Sequence, residues 1–151
     1  MDGVRTFIGR PVVAGSAQGE ALAADVPLSF WGGFDPDTGI IIDRRHPLWG
    51  RHATGRVLVI PSGRGSCSGS GVLLEAIRNG TAPSAIITSR LDPIISLGCI
   101  LGDELYAAYP PMVVVSEHDR GQISTGDFVT VEDHGEVCVS GATTENQESE
   151  P

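Results

Sequence analysis

Short apolar runs, separated by segments rich in glycine and proline, set the pattern of this chain and predict buried strands. Residues 57–60 form the most uniform run, and Pro61 ends it because proline has no N–H to donate to a strand ladder. Residues 85–88 and 112–115 have the same apolar character. Three buried strands are therefore expected in the centre of the chain.

Two segments near these runs predict helices. Apolar residues recur at helical spacing in 72–77, and Gly80 suits the position just after a helix end. Asp92 and Pro93 pair an N-cap residue with a proline at the first helical position, which predicts a short helix over 94–101.

The two ends of the chain add further strands. They are predicted at 4–13 and 20–24, joined by a hairpin or corner, then at 40–42, and in a C-terminal hairpin of 128–131 with 136–139. We expect one domain over residues 1–140. Residues 141–151 predict a disordered acidic tail, because they carry too few apolar side chains to pack.

Strands at both ends of an α/β centre define the predicted fold class. The helices are too few for a doubly wound sheet. We expect a compact β/β/α or β/α domain with a β-barrel-like core and few helices.

Composition excludes several classes of protein. The 151 residues carry a formal net charge of −9, which argues against binding to nucleic acid or to an anionic membrane surface. No run approaches the roughly 20 apolar residues that a membrane helix needs, and no signal peptide is visible. A cytoplasmic location is expected.

The richest chemistry lies in residues 62–70, between a predicted strand and a predicted helix. These nine positions hold three glycines, four serines and Arg64. Such a junction offers backbone N–H groups, the positive end of a helix dipole and a guanidinium that suits a carboxylate. It indicates an anion site, whereas the simpler alternative is a tight connection whose serines only cap the helix.

Known loop motifs do not fit this segment. The chain contains no lysine, which excludes both a P-loop and a Schiff-base lysine. Residues 65–69 have the glycine spacing of a nucleophile elbow, but the central residue is Cys67 rather than serine.

The cysteines and histidines give weak metal signals. No C-x-x-C motif is present, so this chain alone is not expected to build an iron–sulfur or structural zinc site. We interpret Cys99 and Cys138 as small buried side chains, and Cys67 as a packing or backbone-positioning residue. His46 and His52 are weak as a metal pair and are interpreted as solvated loop histidines.

Residues 27–39 form a second unusual stretch, in which large aromatic side chains flank Gly32 and Gly33. One interpretation is a turn with an aromatic anchor. The other is that the glycines let the backbone approach a ligand or another chain closely. Trp49, further on, could also seat against a partner.

Two stretches carry a family resemblance: SFWGGFDPDTGIIID at 29–43 and GRVLVIPSGRGSCSGSGVLLEAIRNGTAPSAII at 55–87. They resemble the small subunit, or swivel domain, of the aconitase X family. The resemblance implies a swivelling β/β/α domain similar to the fourth domain of aconitase. It also implies docking on, or fusion to, a large subunit that holds an iron or iron–sulfur centre.

The resemblance also implies a dehydratase (hydro-lyase) that acts on a small hydroxy acid only with its large subunit. The catalytic base would be Ser66. Substrate contacts would come from Arg64, Gly65, Cys67 and Ser68, with no cofactor or metal ligand from this chain.

Two family activities are candidates: dehydration of cis-3-hydroxy-L-proline to Δ1-pyrroline-2-carboxylate, and dehydration of mevalonate 5-phosphate. A phosphate-bearing substrate would favour several basic residues at the loop. The first activity is favoured because Arg64 is the only basic residue there. Two alternative hypotheses, from other functional classes, remain. A phosphohistidine swivel domain is disfavoured because the loop has no histidine, and a non-catalytic binding or scaffold module would leave Ser66 inert.

Overall fold

A computed structural model describes residues 3–141, which form one mixed sheet of eight strands with four helices. Most of the predicted tail, 142–151, lies outside the described residues. The elements are β1 (Arg5–Ile8), β2 (Arg10–Val13), β3 (Ala17–Ala23), α1 (Phe30–Gly33), β4 (Val57–Val59), α2 (Gly69–Asn79), β5 (Ala85–Thr88), α3 (Pro93–Tyr106), β6 (Met112–Val114), α4 (Glu117–Arg120), β7 (Phe128–Val131) and β8 (Glu136–Ser140).

The strand order is β1-β8-β7-β3-β4-β5-β6-β2. Strands β3 to β6 run parallel, and the flanking pairs are antiparallel. Strands β1 and β2 follow each other in the chain yet lie at opposite ends of this order, so the sheet curves until its edges nearly meet. The predicted α/β class with a barrel-like core is confirmed.

The bend that closes the sheet is at Gly9. A Cβ at this position would lie 2.4 Å from Val113 Cγ1, so only glycine lets the two strand edges approach. The single strand predicted at 4–13 is therefore wrong: β1 and β2 are separate, and they pair with β8 and β6.

Side chains alternate between two apolar clusters on the two faces of the parallel strands. Leu58 packs with the helices, together with Leu73 of α2 and Ile95 of α3. Val57 and Val59 face the second cluster, which includes residues from β7 and β8. Because both faces are covered, these strands are continuously apolar in sequence, which is why they were predictable.

Two strand predictions need correction. Of the hairpin or corner predicted after β2, the structure has the corner, since β3 pairs with β4 and β7, and β3 begins at Ala17 rather than at residue 20. Residues 40–42 form no strand. Ile40 and Ile41 make only isolated bridges, to His52 and Phe34, because no neighbouring strand runs beside them. The predicted C-terminal hairpin is confirmed as β7 and β8.

The two predicted helices are confirmed, with one change in length. Helix α2 ends at Gly80 in the left-handed conformation, with φ of 79°. Helix α3 is capped by Asp92 as predicted, but it continues to Tyr106. It can extend because Gly98 and Gly102 allow it to lie close against α2, where a Cβ on Gly102 would be 2.7 Å from Ile77 Cδ1.

Helix α4 was not predicted, and it begins at a serine cap. Ser116 Oγ accepts from the Asp119 N–H at 3.0 Å. Its last residue, Arg120, is buried and donates to the Ala24 carbonyl at 3.0 Å and to both Glu117 oxygens. The helix thereby ties the end of β3 to the segment after β6.

Glu117 is expected to make stability depend on acid pH. Its hydrogen bond from Arg120, and a second from Ser89, lower its pKa from 4.5 to about 2. Because the folded pKa lies below the unfolded one, the stabilisation is complete above about pH 4.5 and is lost as the pH falls toward 2. The free energies of unfolding of the wild type and of Glu117→Gln, measured with urea, should therefore become equal as the pH falls from about 4.5 toward 2. Curves that stay parallel would contradict this assignment. The carboxylate is exposed, so added salt should reduce the difference.

Candidate active site

The loop between β4 and α2 places Ser66 on the surface, with Arg64, Gly65, Cys67 and Ser68 exposed beside it. The sequence-predicted site residues therefore share one exposed loop. Ser66 Oγ accepts a hydrogen bond from the Ser68 N–H at 3.0 Å. This contact orients the hydroxyl and places a positive N–H dipole on its oxygen.

The N–H groups at the start of α2 are less available than the sequence suggested. Gly69 N–H donates to the Ser66 carbonyl at 3.0 Å, and Ser70 N–H to the Cys67 carbonyl at 3.2 Å. Among the described residues, the N–H groups of 65–67 make no hydrogen bond to protein, whereas the Arg64 N–H faces the Leu28 carbonyl in the bridge between Leu28 and Gly63. The donors that face a ligand would thus come from the loop itself.

Of the serines in this segment, Ser66 makes the contact expected of a capping residue, because its Oγ accepts from the Ser68 N–H just before α2. Ser68 occupies the N-cap position without a side-chain cap bond. No acidic residue lies in the first turn of α2, so the positive end of its dipole is not neutralised there. The electrostatic setting at Ser66 therefore favours a negative charge.

Two arginines lie at this loop. Arg64 is 60% exposed, and its Nη2 atom is 3.7 Å from Asp43 Oδ2. Arg90, which follows β5, donates from Nη2 to Ser62 Oγ at 3.4 Å. The sequence analysis did not assign Arg90 to the site. The signal was available, because β4 and β5 are adjacent parallel strands whose carboxyl ends meet at one edge of the sheet.

The aromatic stretch packs directly against this loop. Gly65 has φ of +98°, and a Cβ there would lie 2.9 Å from Ser29 Oγ. Phe30 and Phe34 are buried with ring centroids 5.2 Å apart, which confirms the aromatic anchor. Trp31 between them remains 59% exposed. The segment therefore both supports the loop and presents an apolar side chain beside it.

The cysteines differ in their settings. Cys99 is buried as predicted, and burial raises the pKa of its thiol to about 12, so it is not a nucleophile. Cys138 is only half-buried, on β8. Cys67 is exposed, so packing is the wrong interpretation for its side chain, although its carbonyl does accept from the helix.

The two histidines also separate. His46 is buried, which overturns the solvated interpretation. Its Nδ1 accepts from the Leu48 N–H at 3.1 Å, so its Nε2 donates to the Val26 carbonyl at 3.0 Å. This pairing makes His46 a structural residue that holds two loops together. His52 is exposed, as predicted.

The residues that the structure describes do not fit an iron or iron–sulfur centre. Within residues 3–141, no group of three histidine, cysteine or acidic side chains is arranged to hold a metal ion. No helix in the same range has both the length and the apolar character to cross a membrane.

Comparisons with known proteins agree with this architecture. A cis-3-hydroxy-L-proline dehydratase of Pseudomonas aeruginosa is 52% identical over 111 residues, which are 74% of this chain and 19% of that protein. A phosphomevalonate dehydratase small subunit of Methanopyrus kandleri is 44% identical over 122 residues, which are 81% of this chain and 87% of that protein. The chain spans about a fifth of the length of the hydroxyproline dehydratases it matches.

A solved structure and a family match complete the comparison. A chain of the crystal structure of Thermococcus kodakaraensis aconitase X, in its holo-form, has a TM-score of 0.81 and 39% identity. The alignment covers 89% of this chain and 98% of that chain. Residues 6–139 match the family described as the aconitase X swivel domain. This chain therefore belongs to the aconitase X swivel domain family.

Proposed function

We propose that this chain is the small subunit of a dehydratase and that Ser66 is its general base. The observation that carries the proposal is the position of Ser66. The residue is exposed, its hydroxyl accepts from one backbone N–H, and it lies two residues before the N-cap of a helix that has no acid in its first turn. The family membership and the dehydratase names of the relatives support the same assignment.

The proposed step is removal of a proton from the carbon next to the substrate carboxylate. The hydroxyl of a free serine is a very weak acid and keeps its proton at neutral pH, so it cannot accept another proton efficiently. To act as a base, its oxygen must be stabilised as an alkoxide, or nearly so. The Ser68 N–H, the dipole of α2 and the charge of Arg64 all favour that form. The proton would pass from the substrate carbon to Ser66 Oγ.

The same loop would hold the substrate carboxylate. Arg64 supplies a planar, permanently charged donor, and Ser68 supplies a hydroxyl. Gly65 and Cys67 would contribute backbone N–H groups, since both lack a protein acceptor among the described residues. The ion pair of Arg64 with Asp43 would keep the guanidinium beside the loop until substrate arrives.

The remaining parts of the site would belong to a large subunit. We propose a heterodimer or higher assembly in which that partner holds an iron or iron–sulfur centre, which would act as a Lewis acid on the departing hydroxyl. The relatives support such a partner, because some are named small subunits and others are about five times longer than the matched segment. Exposed Trp31 offers an apolar contact for it. The predicted cytoplasmic location stays a prediction.

Hydroxyproline remains the first substrate candidate, and mevalonate 5-phosphate the second. The 52% identity to a hydroxyproline dehydratase favours the first. The argument from charge is weaker than the sequence suggested, because Arg90 adds a second guanidinium beside the loop. That observation keeps a phosphate-bearing substrate open.

The test is to co-express this chain with its large subunit, purify the complex and assay both substrates. We expect turnover of cis-3-hydroxy-L-proline with release of one water, and little turnover of mevalonate 5-phosphate. Faster turnover of mevalonate 5-phosphate would make that compound the first substrate candidate. A complex inactive on both, or a chain that binds no large subunit, would favour a non-catalytic module.

A further inference from the structure

The loop that carries Ser66 is attached at both ends to one turn of helix α3. At its start, the Gly63 N–H donates to Asp92 Oδ2 at 2.7 Å. At its end, Ser70 Oγ donates to the Ile94 carbonyl at 2.6 Å. Of the residues between these points, 64–68 are exposed and Gly69 is buried. The first turn of α3 is therefore the support on which the exposed part of the loop is held.

Asp92 does more than cap its helix. Its Oδ1 atom accepts from the Ile94 and Ile95 N–H groups, both at 3.0 Å, and this completes the cap. Serine or asparagine caps a helix as well as aspartate does, so capping alone leaves the second carboxylate oxygen unexplained. That oxygen is used by Gly63. The side chain is only 8% exposed, so the arrangement is built into the interior.

The fit at both ends is close. A Cβ at Gly63 would lie 2.7 Å from Asp92 Oδ2, and a Cβ at Gly69 would lie 3.3 Å from Ile94 Cγ2. Glycine at these two positions lets the loop lie directly on α3. A loop attached this way has little freedom to shift at its two ends.

We infer that Asp92 and Ser70 are positioning residues that fix the location of Ser66 Oγ. The inference rests on the proposed function. Proton transfer requires the donor and acceptor atoms to be within hydrogen-bond reach, and a displacement of about 1 Å can cost about 100-fold in rate. Arg64 has a long, flexible side chain that can follow a small shift of the backbone. Loosening the loop should therefore lower kcat more than it raises KM.

The experiment compares two serine-to-alanine variants in the two-chain enzyme. Ser70→Ala removes the bond from the loop to α3. Ser96→Ala is the matched control, because Ser96 is similarly buried and also donates to backbone carbonyls in the first turn of α3, those of Asp92 and Pro93, without touching the loop. We expect Ser70→Ala to lower kcat about 10- to 100-fold with KM changed less than about threefold, and Ser96→Ala to stay near wild type.

A third variant tests the other attachment. Asp92→Ser keeps a good N-cap but has a single short oxygen that cannot also reach Gly63. We expect the same loss of kcat, a thermal unfolding midpoint lowered by a few degrees because the Gly63 N–H loses its acceptor, and normal assembly with the large subunit.

The outcomes separate this inference from the proposal on which it rests. Wild-type kcat in both Ser70→Ala and Asp92→Ser would overturn the positioning role, as would an equal loss in Ser96→Ala. Ser66→Ala is measured beside them. If Ser66→Ala loses turnover while the other variants keep it, the base assignment stands without the positioning. If Ser66→Ala keeps turnover, the proposed function itself is wrong.

Discussion

Replacing Ser66 by alanine is expected to lower kcat of the two-chain enzyme about 10²- to 10⁴-fold, which is the usual contribution of a positioned general base. The variant removes one exposed oxygen, whose only hydrogen bond in the described structure is accepted from the Ser68 N–H. Folding and assembly should therefore be unchanged. Steady-state kinetics on the purified complex, with gel filtration to verify assembly, make the measurement.

The control for this prediction is Ser124→Ala. Ser124 is also exposed, but it lies in the segment before β7, away from the loop between β4 and α2. It should keep wild-type kcat. If Ser66→Ala also kept it, Ser66 would be inert and the chain would serve only as a binding module.

Replacing Phe34 by alanine should cost about 3–5 kcal/mol of unfolding free energy, as for other fully buried phenylalanines. Phe34 is 2% exposed, and its ring packs against Phe30 with centroids 5.2 Å apart. The alanine would leave a cavity beneath the segment that supports Gly65 and Gly69. Urea unfolding of the isolated chain measures the loss.

Phe128→Ala is the matched control for the Phe34 prediction. Phe128 lies on β7 and is 42% exposed, so the same substitution should cost less than about 1 kcal/mol. Similar losses in both variants would show that the aromatic pair is not a main stabilising contact. A loss in Phe34→Ala below about 1 kcal/mol would lead to the same conclusion.

The features predicted correctly from the sequence are those set by local chemistry or continuous burial. The run at 57–60 is apolar throughout because both faces of β4 are covered, and Asp92 with Pro93 marks a helix start in any context. The glycine at 80 adopts the left-handed backbone that its position after the helix requires. These signals need no knowledge of distant residues.

The features that were missed depend on contacts between distant segments. Gly9 ends one strand and begins another only because the sheet closes around Val113. The apolar run at 40–42 resembles a strand, but no partner strand passes beside it. His46 can be buried because its ring is hydrogen-bonded to the carbonyl of Val26, which lies 20 residues earlier in the chain. None of these pairings has a signature within a short window of sequence.

The candidate site was predicted in part for the same reasons. The loop composition and its place before a helix pointed to Ser66 and Arg64, and the family resemblance supplied their proposed roles. The contributions of Ser70 and Asp92 could not be read locally, since each joins the loop to another element. Arg90 could be placed beside the loop only by treating β4 and β5 as neighbouring parallel strands.

The most direct test of this account is the structure of the two-chain complex with a bound substrate. The quantity to measure is the distance from Ser66 Oγ to the substrate carbon next to the carboxylate. We expect about 3–3.5 Å, the separation of reacting atoms in a productive complex. A Ser66 hydroxyl that points to solvent, or that is covered by the partner away from the substrate, would contradict the central claim.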